Sequence, residues 1–365
     1  MAADRLDVFL EGLPLSLVRE LAQRAEQRGF RNIWLPEITF ADAFIPAAAA
    51  AMETKQIGLA TGVVGIWSRS PVTMALTVGT LDQLSSGRMI LGLGLQARTY
   101  VQDWHGARYE KTVTAMREYV TIVRRILAGE NVTFEGEVFR VKNFQLHMAP
   151  PAKPIPIYMA AIGPKMLQLA GEIADGVLGY FYSLPYLEQV VLPNLEIGAK
   201  RAGRSLTRDS FDIAAGLPCI ITDDDSGLRL NKGQVVMFAT AAGSSPFYAE
   251  SIARAGFQDE LRRIQELVAR KDAKGAVECV SDEMADAFTV SGTPEHARAR
   301  IAAYRKAGAT TVALNPSPPG IYFPLFQGHF PEGTEIPPFN FPEYVKAIKK
   351  ILDVMGSGAA AGSGH

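Results

Sequence analysis

The sequence PIPIYMAAIGPKMLQLAGEIADGVL, residues 154–178, contains the signals that decide the fold. Its first part, PIPIYMAA, is short, apolar and opened by prolines, which is typical of a buried barrel strand. Gly163 and Pro164 end that strand. Pro164 suits the first turn of a helix, because an N–H group at that position would have no partner anyway. The helix KMLQLAGEI follows, and the next strand, DGVLGYF, begins directly after it. We therefore predict a β–α–β unit.

The turn in this unit is a candidate phosphate site. A turn of small residues that leads into a helix exposes backbone N–H groups at the positive end of the helix dipole, where anions bind. An ordinary tight strand-to-helix turn has the same composition. Both interpretations therefore remain open for this stretch taken alone.

Strands and helices alternate on both sides of this unit. The other predicted strands are 6–10, 32–35, 57–64, 89–93, 210–221 and 311–314, and the other predicted helices are 14–29, 43–54, 71–84, 112–128, 186–202, 294–307 and 344–354. A β-hairpin is predicted for NVTFEGEVFRV, residues 131–141. This alternation favours an α/β fold, a (β/α)8 TIM barrel with insertions, over two domains. An open doubly wound sheet is the alternative, because periodicity does not show whether a sheet closes.

We expect one barrel domain over residues 1–355. Residues 222–289 are mostly helical and charged, so they are predicted to be a long insertion between the last two strands. Insertions on the C-terminal side of a barrel usually shape the access of substrate to the site. The last residues, GSGAAAGSGH (356–365), are typical of a flexible linker with the remnant of a tag.

Composition indicates a soluble globular protein. The chain has 365 residues, of which 48% are hydrophobic and 21% are charged. A net charge of −1 argues against a general nucleic-acid binder. Cys219 and Cys279 match no metal-ligand spacing and no disulfide framework, so a reducing cytoplasm is expected. The chain shows no signal-peptide pattern and no apolar run of membrane-spanning length, so no membrane association is expected.

In a (β/α)8 barrel the site lies at the carboxyl ends of the strands. Glu11 and Glu37 follow the first two predicted strands, close enough in principle to form an acid/base pair. The alternative is that either carboxylate pairs with a loop arginine such as Arg69 or Arg98. The other strand ends are followed by residues 61–65, 96–99 and 161–165.

No motif supports nucleophilic or metal chemistry. The run GLGLQA, residues 92–97, resembles a dinucleotide fingerprint, but the helix which that motif requires does not follow directly. His105, His147 and His296 are isolated and are more typical of structural histidines. We therefore expect no metal. A barrel with a candidate phosphate site and no resident nucleophile often takes its chemistry from a cofactor.

Four segments resemble a known family. They are GLATGVVGIWSRSPVTMALTVGTLDQLSSGRMILGLG (58–94), WHGARYEKTVTAMREYVTIVRRIL (104–127), residues 154–178, and SGTPEHARARIAAYRKAGATTVAL (291–314). Together they resemble the bacterial-luciferase-like superfamily of flavin- or deazaflavin-dependent oxidoreductases. The forms WSRSP, WHG and AAIGPKMLQLAGEIADGVL are most similar to the branch that uses coenzyme F420, as methylenetetrahydromethanopterin reductase does.

This resemblance implies a luciferase-like barrel, usually a homodimer, with the isoalloxazine-type ring at the C-terminal mouth. It also implies a non-prolyl cis peptide at Gly62–Val63, against the ring, and a loop around Gly163 whose backbone amides receive the cofactor phosphate. The residues expected to bind the cofactor are Thr61, Gly62, Val63, Gln96, Thr99, Ala161, Ile162, Gly163, Pro164 and Lys165.

The chain departs from the family pattern at two places. Members that oxidise sugar phosphates or alcohols carry an Asp-His pair after the second strand, whereas this chain has Glu37 and Ile38, so that histidine base is absent. The loop after the fourth strand, LQART (95–99), is bulkier and more basic than the small, glycine-containing run of the branch. It would alter the choice of substrate, or contact an anionic substrate or the coenzyme tail.

Three functions are compatible with these residues. The first is an F420-dependent oxidoreductase in which hydride moves between C5 of the deazaflavin and a small organic molecule with a C=C, C=N or C=O bond, while Glu11 or Glu37 offers a proton. The second is an FMN-dependent monooxygenase, in which reduced flavin activates oxygen. The third is a protein that keeps a cofactor or pigment without turnover.

Overall fold

Parallel strands close into a barrel in the computed structural model of the protein, which describes residues 5–39, 41–240, 245–317 and 339–357. The strands are β1 (Leu6–Phe9), β2 (Asn32–Leu35), β3 (Gly58–Thr61), β4 (Val64–Gly65), β5 (Met89–Gly94), β6 (Val132–Glu135), β7 (Arg140–Phe144), β8 (Ile157–Ala160), β9 (Gly176–Tyr180), β10 (Asp212–Ile221), β11 (Val290–Gly292) and β12 (Thr311–Pro316). The N-terminal residues before 5 and the predicted linker from 358 onward lie outside the described residues.

The helices lie mainly between these strands. They are α1 (Leu15–Gln27), α2 (Phe44–Glu53), α3 (Pro71–Ser85), α4 (Thr112–Leu127), α5 (Pro164–Ile173), α6 (Leu184–Tyr186), α7 (Leu192–Arg201), α8 (Ser226–Leu230), α9 (Lys232–Thr240), α10 (Phe247–Arg254), α11 (Gln258–Ala269), α12 (Ala273–Glu278), α13 (Asp282–Phe288), α14 (Pro294–Lys306) and α15 (Phe341–Met355). Two π-helical turns, Tyr100–Trp104 and Leu187–Val191, complete the described elements.

The strand pairing proves closure. In the barrel β1 pairs with β2, then β3, β5, β8, β9, β10 and β12 follow, and β12 pairs with β1. Every one of these pairings is parallel. The predicted (β/α)8 barrel is therefore confirmed, and the open doubly wound sheet is wrong. The hairpin β6–β7 is antiparallel and separate, as predicted for residues 131–141.

Local signals in the sequence set the helix boundaries. Ser70 accepts a hydrogen bond from the N–H of Thr73 and is followed by Pro71, so α3 begins at a capped turn. Thr293 caps α14 in the same way. One difference lies after Thr61, where the predicted strand 57–64 is divided into β3 and β4. The peptide between Gly62 and Val63 is cis, as the family resemblance implied.

The amino end of the barrel is closed by a buried polar network. The Asp7 carboxylate accepts hydrogen bonds from Asn32 Nδ2 at 2.9 Å and from Trp34 Nε1 at 2.8 Å. Arg31 pairs with Asp212 nearby. Burial raises the pKa of Asp7 to about 6, because a charge in this interior is poorly solvated. The opposite, carboxyl end of the barrel is where a cavity remains.

Helices α8 to α13 form a layer with its own apolar core. The buried members of that core include Val235, Ile252, Ile264 and Phe288, together with Phe181 from the end of β9. The ring of Phe181 stacks on Phe288, with ring centroids 4.6 Å apart. The insertion is thus anchored to the carboxyl end of the barrel by aromatic packing.

Candidate functional site

A cavity of about 1020 Å³ lies at the carboxyl ends of the barrel strands. Its walls come from the loops after β1, β2, β3, β5 and β8, from the ends of β9 and β12, and from helices α9 and α10 of the insertion. This volume is at the upper end of the range of small-molecule and cofactor sites. The cavity is therefore large enough for a cofactor together with a small substrate.

The structure brings the predicted site residues together, with one exception. Those that line the cavity are Glu11, Glu37, Gly62, Val63, Gln96, Thr99, Ala161, Ile162, Gly163, Pro164 and Lys165. Thr61 is fully buried behind the wall. Its hydroxyl donates to the carbonyl of Gly92 and accepts from the N–H of Gly92, each at 2.8 Å. Thr61 therefore joins β3 to β5 and does not face the cavity.

The loop between β8 and α5 has its carbonyl groups turned away from the cavity. The hydroxyl of Tyr182 donates to the carbonyl of Ala161, and the hydroxyl of Tyr186 donates to the carbonyl of Ile162 at 2.9 Å. In a trans peptide the C=O and the following N–H point in opposite directions. The N–H groups of Ile162 and Gly163 therefore point away from the two tyrosines, which are buried behind the loop.

These N–H groups lie at the start of α5. Within the described chain, no acceptor bonds to the N–H of Ile162 or Gly163, and no side chain caps the first turn of α5. The carbonyl of Gly163 accepts from the N–H of Met166 and Leu167, so the helix begins directly at the loop. Unpaired N–H groups at a helix start favour a phosphate. The loop thus fits the phosphate of a cofactor.

The insertion covers this loop. A Cβ atom placed on Gly163 would lie 2.2 Å from Cε2 of Phe247, so the Phe247 ring packs directly against the glycine. Phe238 and Tyr248 stand beside it, with ring centroids 4.8 Å apart. These three rings line the cavity from the side of the insertion and restrict the access of water.

Glu37 is engaged in an ion pair. Its carboxylate accepts from both terminal nitrogens of Arg69, at 2.6 and 2.9 Å, and from the N–H of Ala43 at 3.2 Å. The hydrogen bonds that Arg69 donates to Glu37 raise the pKa of Arg69. Arg69 also pairs with Asp42 and lies over the ring of Phe44. Of the two sequence interpretations for Glu37, this geometry matches pairing with a loop arginine.

Glu11 has a different environment. It is buried, lines the cavity, and has its backbone carbonyl fixed by the hydroxyl of Tyr344 at 2.8 Å. The Tyr180 hydroxyl, on the same side of the cavity, accepts from Asn315 Nδ2 at 2.9 Å. Burial raises the pKa of Tyr180, and the nearby Glu11 charge raises it further, so the phenol keeps its proton. The ends of β1, β9 and β12 thus place a carboxylate beside a protonated phenol.

Sequence reasoning missed several lining residues. Tyr180 and Asn315 stand at the ends of predicted strands, so the strand-end rule that selected Glu11 and Glu37 could also have selected them. Phe238, Phe247 and Tyr248 could not be found in this way, because no periodic signal tells which part of a helical insertion folds over a barrel.

The loop after β5 is aromatic and basic, as its sequence indicated. The guanidinium of Arg98 lies 4.9 Å from the ring centre of Tyr109, and Tyr100 stacks on Trp104 at 3.9 Å. Both Arg98 and Tyr100 line the cavity.

Across the ranges that the structure describes, no cluster of three or more His, Cys, Asp or Glu could hold a metal ion. Nor does any helix in those ranges combine the length and apolar character needed to span a membrane.

Comparison with known proteins gives consistent similarities. The family model described as luciferase-like monooxygenase matches residues 7–311. The 5,10-methylenetetrahydromethanopterin reductase of Methanolobus tindarius is 34% identical over 307 residues, which are 83% of this chain and 91% of the reductase. A Mycobacterium tuberculosis protein, named provisionally as a coenzyme F420-dependent oxidoreductase, is 32% identical over 310 residues, 81% of this chain and 89% of its own.

A solved structure is similar over nearly the whole length. The coenzyme F420-dependent tetrahydromethanopterin reductase from Methanopyrus kandleri superposes with a TM-score of 0.74 at 26% identity, covering 96% of this chain and 98% of the reductase.

Proposed function

The chain belongs to the luciferase-like monooxygenase family, and from this membership we propose that it is an oxidoreductase that binds coenzyme F420 and acts on a small organic substrate. When bound, the coenzyme would exchange a hydride at C5 of its deazaflavin ring with a C=C, C=N or C=O bond of the substrate. The F420-dependent relatives support this choice of cofactor.

The observation that carries the proposal is the loop at residues 161–163. Its carbonyls are bonded to tyrosines behind it, and its free N–H groups lie at the start of α5 on the wall of a large cavity. N–H groups at a helix start have no partner within the helix, and here they lie on the wall of a cavity that is large enough for a cofactor. A phosphate-bearing cofactor accounts for them.

The other lining residues have roles in the same proposal. Lys165, next to the loop, adds a positive charge, and the Gly62–Val63 peptide forms the wall at the end of β3. The rings of Phe238, Phe247 and Tyr248 exclude water on the side of the cavity that the insertion covers. Exclusion of water strengthens the electrostatic interactions inside the site.

Glu11 is the better of the two predicted proton donors. Glu11 is buried at the cavity wall near the Tyr180 phenol, and the hydroxyl of Tyr180 can donate a hydrogen bond to the substrate. We propose that Glu11, with Tyr180, holds the proton that the reduced substrate takes up.

An FMN-dependent monooxygenase is the second candidate. It is favoured by the description of the matching family, which is that of monooxygenases. The N–H groups of the loop at residues 161–163 would suit the phosphate of FMN equally well. A deazaflavin does not form the stable oxygen adduct that monooxygenation requires, so the identity of the cofactor decides the class of reaction.

The test is a fluorescence titration of the purified protein with F420 and, separately, with FMN. We expect tight binding of F420 and weak binding of FMN. The reverse result would make the monooxygenase the better proposal. Binding of neither compound would contradict both.

We also propose that the protein works as a cytoplasmic homodimer. The neighbouring helices α2 and α3 expose apolar side chains on their outer faces: Ile45, Met52, Leu76 and Leu84. Met52 is 70% exposed in the single chain, which is unusual for a large apolar residue unless another protein covers it. In a two-fold dimer the same patch serves both subunits.

The free cysteines Cys219 and Cys279 are compatible with a reducing compartment.

A further inference from the structure

The segment that follows β9, residues 181–186, contacts the loop at residues 161–163 (the phosphate loop) on the side away from the cavity. It supplies both tyrosines whose hydroxyls hold the loop, Tyr182 to the carbonyl of Ala161 and Tyr186 to the carbonyl of Ile162. Burial raises the pKa of both phenols, so both remain protonated donors. Neither tyrosine lines the cavity. They contact the back of the loop only.

Tyr182 is held in place independently of the loop. A Cβ atom on Gly179 would lie 1.8 Å from the Tyr182 ring, so the ring rests against the backbone of β9. Phe181 has a φ of 61°, which turns the chain back toward the loop after the strand ends. The carbonyl of Tyr182 accepts from the hydroxyl of Tyr304 at 2.7 Å. The donor to Ala161 is therefore in position whether or not a ligand is bound.

The same segment is bonded to the insertion. Ser183 donates its N–H to Ser251 Oγ at 3.0 Å and its hydroxyl to the carbonyl of Ser251 at 2.9 Å. Ser251 belongs to α10, the helix whose first residue, Phe247, packs on Gly163. The loop at residues 161–163 is thus fixed on one side by tyrosines and on the other by a phenylalanine, and both sides depend on α10.

We propose that Tyr182 and Tyr186 are positioning residues for the cofactor phosphate. Each fixes one carbonyl of the loop, and because a peptide group is planar, each also fixes the direction of the following N–H. The hydroxyl of Tyr182 aims the N–H of Ile162, and the hydroxyl of Tyr186 aims the N–H of Gly163. The inference rests on the proposed function, since it concerns the same phosphate site.

The experiment compares ligands that differ only at the phosphate end. Tyr182→Phe and Tyr186→Phe each remove one hydroxyl and keep the ring. Dissociation constants are measured for FMN and riboflavin, and for F420 and the deazaflavin that lacks the phosphate and tail. We expect each substitution to weaken binding of the phosphorylated member about tenfold, the value of one charge-assisted hydrogen bond. Binding of the unphosphorylated member should stay the same, which also shows that the variant is folded.

Tyr119→Phe is the matched control. Tyr119 is also fully buried and donates its hydroxyl to a backbone carbonyl, that of Arg69, at 3.0 Å. It should lose stability as the other variants do, with no change in the preference for the phosphorylated ligand.

Four results would overturn the inference. Equal weakening of both members of a pair would show a merely structural role, and no weakening of either would show that the hydroxyls do not aim the N–H groups. A wild-type protein that binds a flavin or deazaflavin but does not distinguish the phosphorylated form would remove the inference and leave the cofactor proposal standing. A wild-type protein that binds none of the four compounds would remove both.

Discussion

Glu11 and Glu37 look equivalent in the sequence, since each follows a strand by one or two residues. The structure places them in different surroundings: Glu11 is buried at the cavity wall near the Tyr180 phenol, and Glu37 pairs with Arg69. Glu37 accepts three hydrogen bonds from Arg69 and Ala43, which together hold the loop after β2. At the scale of single residues, the two carboxylates therefore differ in their surroundings, and we propose only Glu11 as the proton donor.

Glu37→Gln should lower the free energy of unfolding and have only a small effect on the turnover rate. The amide cannot accept both bonds of the guanidinium fork, and Arg69 loses its main counter-charge. We expect the free energy of unfolding in urea to fall by about 2 kcal/mol, because hydrogen bonds to charged groups are lost. Glu135→Gln, which breaks an exposed pair with Arg140, is the control and should cost about 0.5 kcal/mol or less.

The opposite pattern would assign Glu37 to catalysis. If Glu37→Gln slowed turnover by about a hundredfold or more while stability and coenzyme affinity stayed the same, Glu37 would be the proton donor in place of Glu11.

At the scale of elements, the site is an interface between the β8–α5 loop and α10. Gly163 has φ −79° and ψ 151°, a conformation that alanine adopts without strain. Glycine is required there for a different reason, since Phe247 occupies the space of a Cβ atom. The position of the insertion, and not the backbone of the loop, excludes a side chain.

This predicts a strong coupling between two substitutions. Gly163→Ala should lower the free energy of unfolding by about 1–3 kcal/mol, because the new methyl group forces the Phe247 ring and α10 to move. In a Phe247→Ala background the same substitution should cost only a few tenths of a kcal/mol, roughly the error of additivity. Urea denaturation of the four proteins of this double-mutant cycle provides the measurement. An equal cost in both backgrounds would mean that Phe247 does not pack on Gly163 in solution.

At the scale of the whole molecule, the two ends of the barrel differ. A buried polar network with Asp7 and Arg31 at its centre closes the amino end, and the insertion closes over the carboxyl end. Helices α2 and α3 belong to the outer ring of helices, so their exposed faces point away from the barrel. A second copy bound to these faces would leave the mouth of the cavity open to ligands.

Met52→Glu should therefore convert the proposed dimer to a monomer. Met52 is exposed in the single chain, so the charge should not affect folding but would be buried without a partner in a dimer. Sedimentation velocity should show a halved mass for this variant. Leu230→Glu, at an exposed apolar position in the insertion, is the control and should keep the mass of the wild type. A wild-type protein that is already monomeric would contradict the proposal.

The sequence by itself determined the order of the elements. The β–α–β unit at residues 154–178, the start of α3 at Pro71 and the hairpin β6–β7 were all predicted, because each depends on residues that are neighbours along the chain. The resemblance of four segments to the luciferase-like family also identified the loop at residues 161–165 as a wall of the site, and these residues line the cavity.

Only the tertiary structure decided how those residues are used. Closure of the barrel, the pairing of Glu37 with Arg69, the tyrosines behind Ala161 and Ile162, and the phenylalanine over Gly163 all join parts of the chain that are far apart in sequence. Periodicity records which face of an element is apolar, but it contains no information on which distant side chain meets that face. The direction of a peptide group and the partner of a carboxylate are therefore properties of the folded chain.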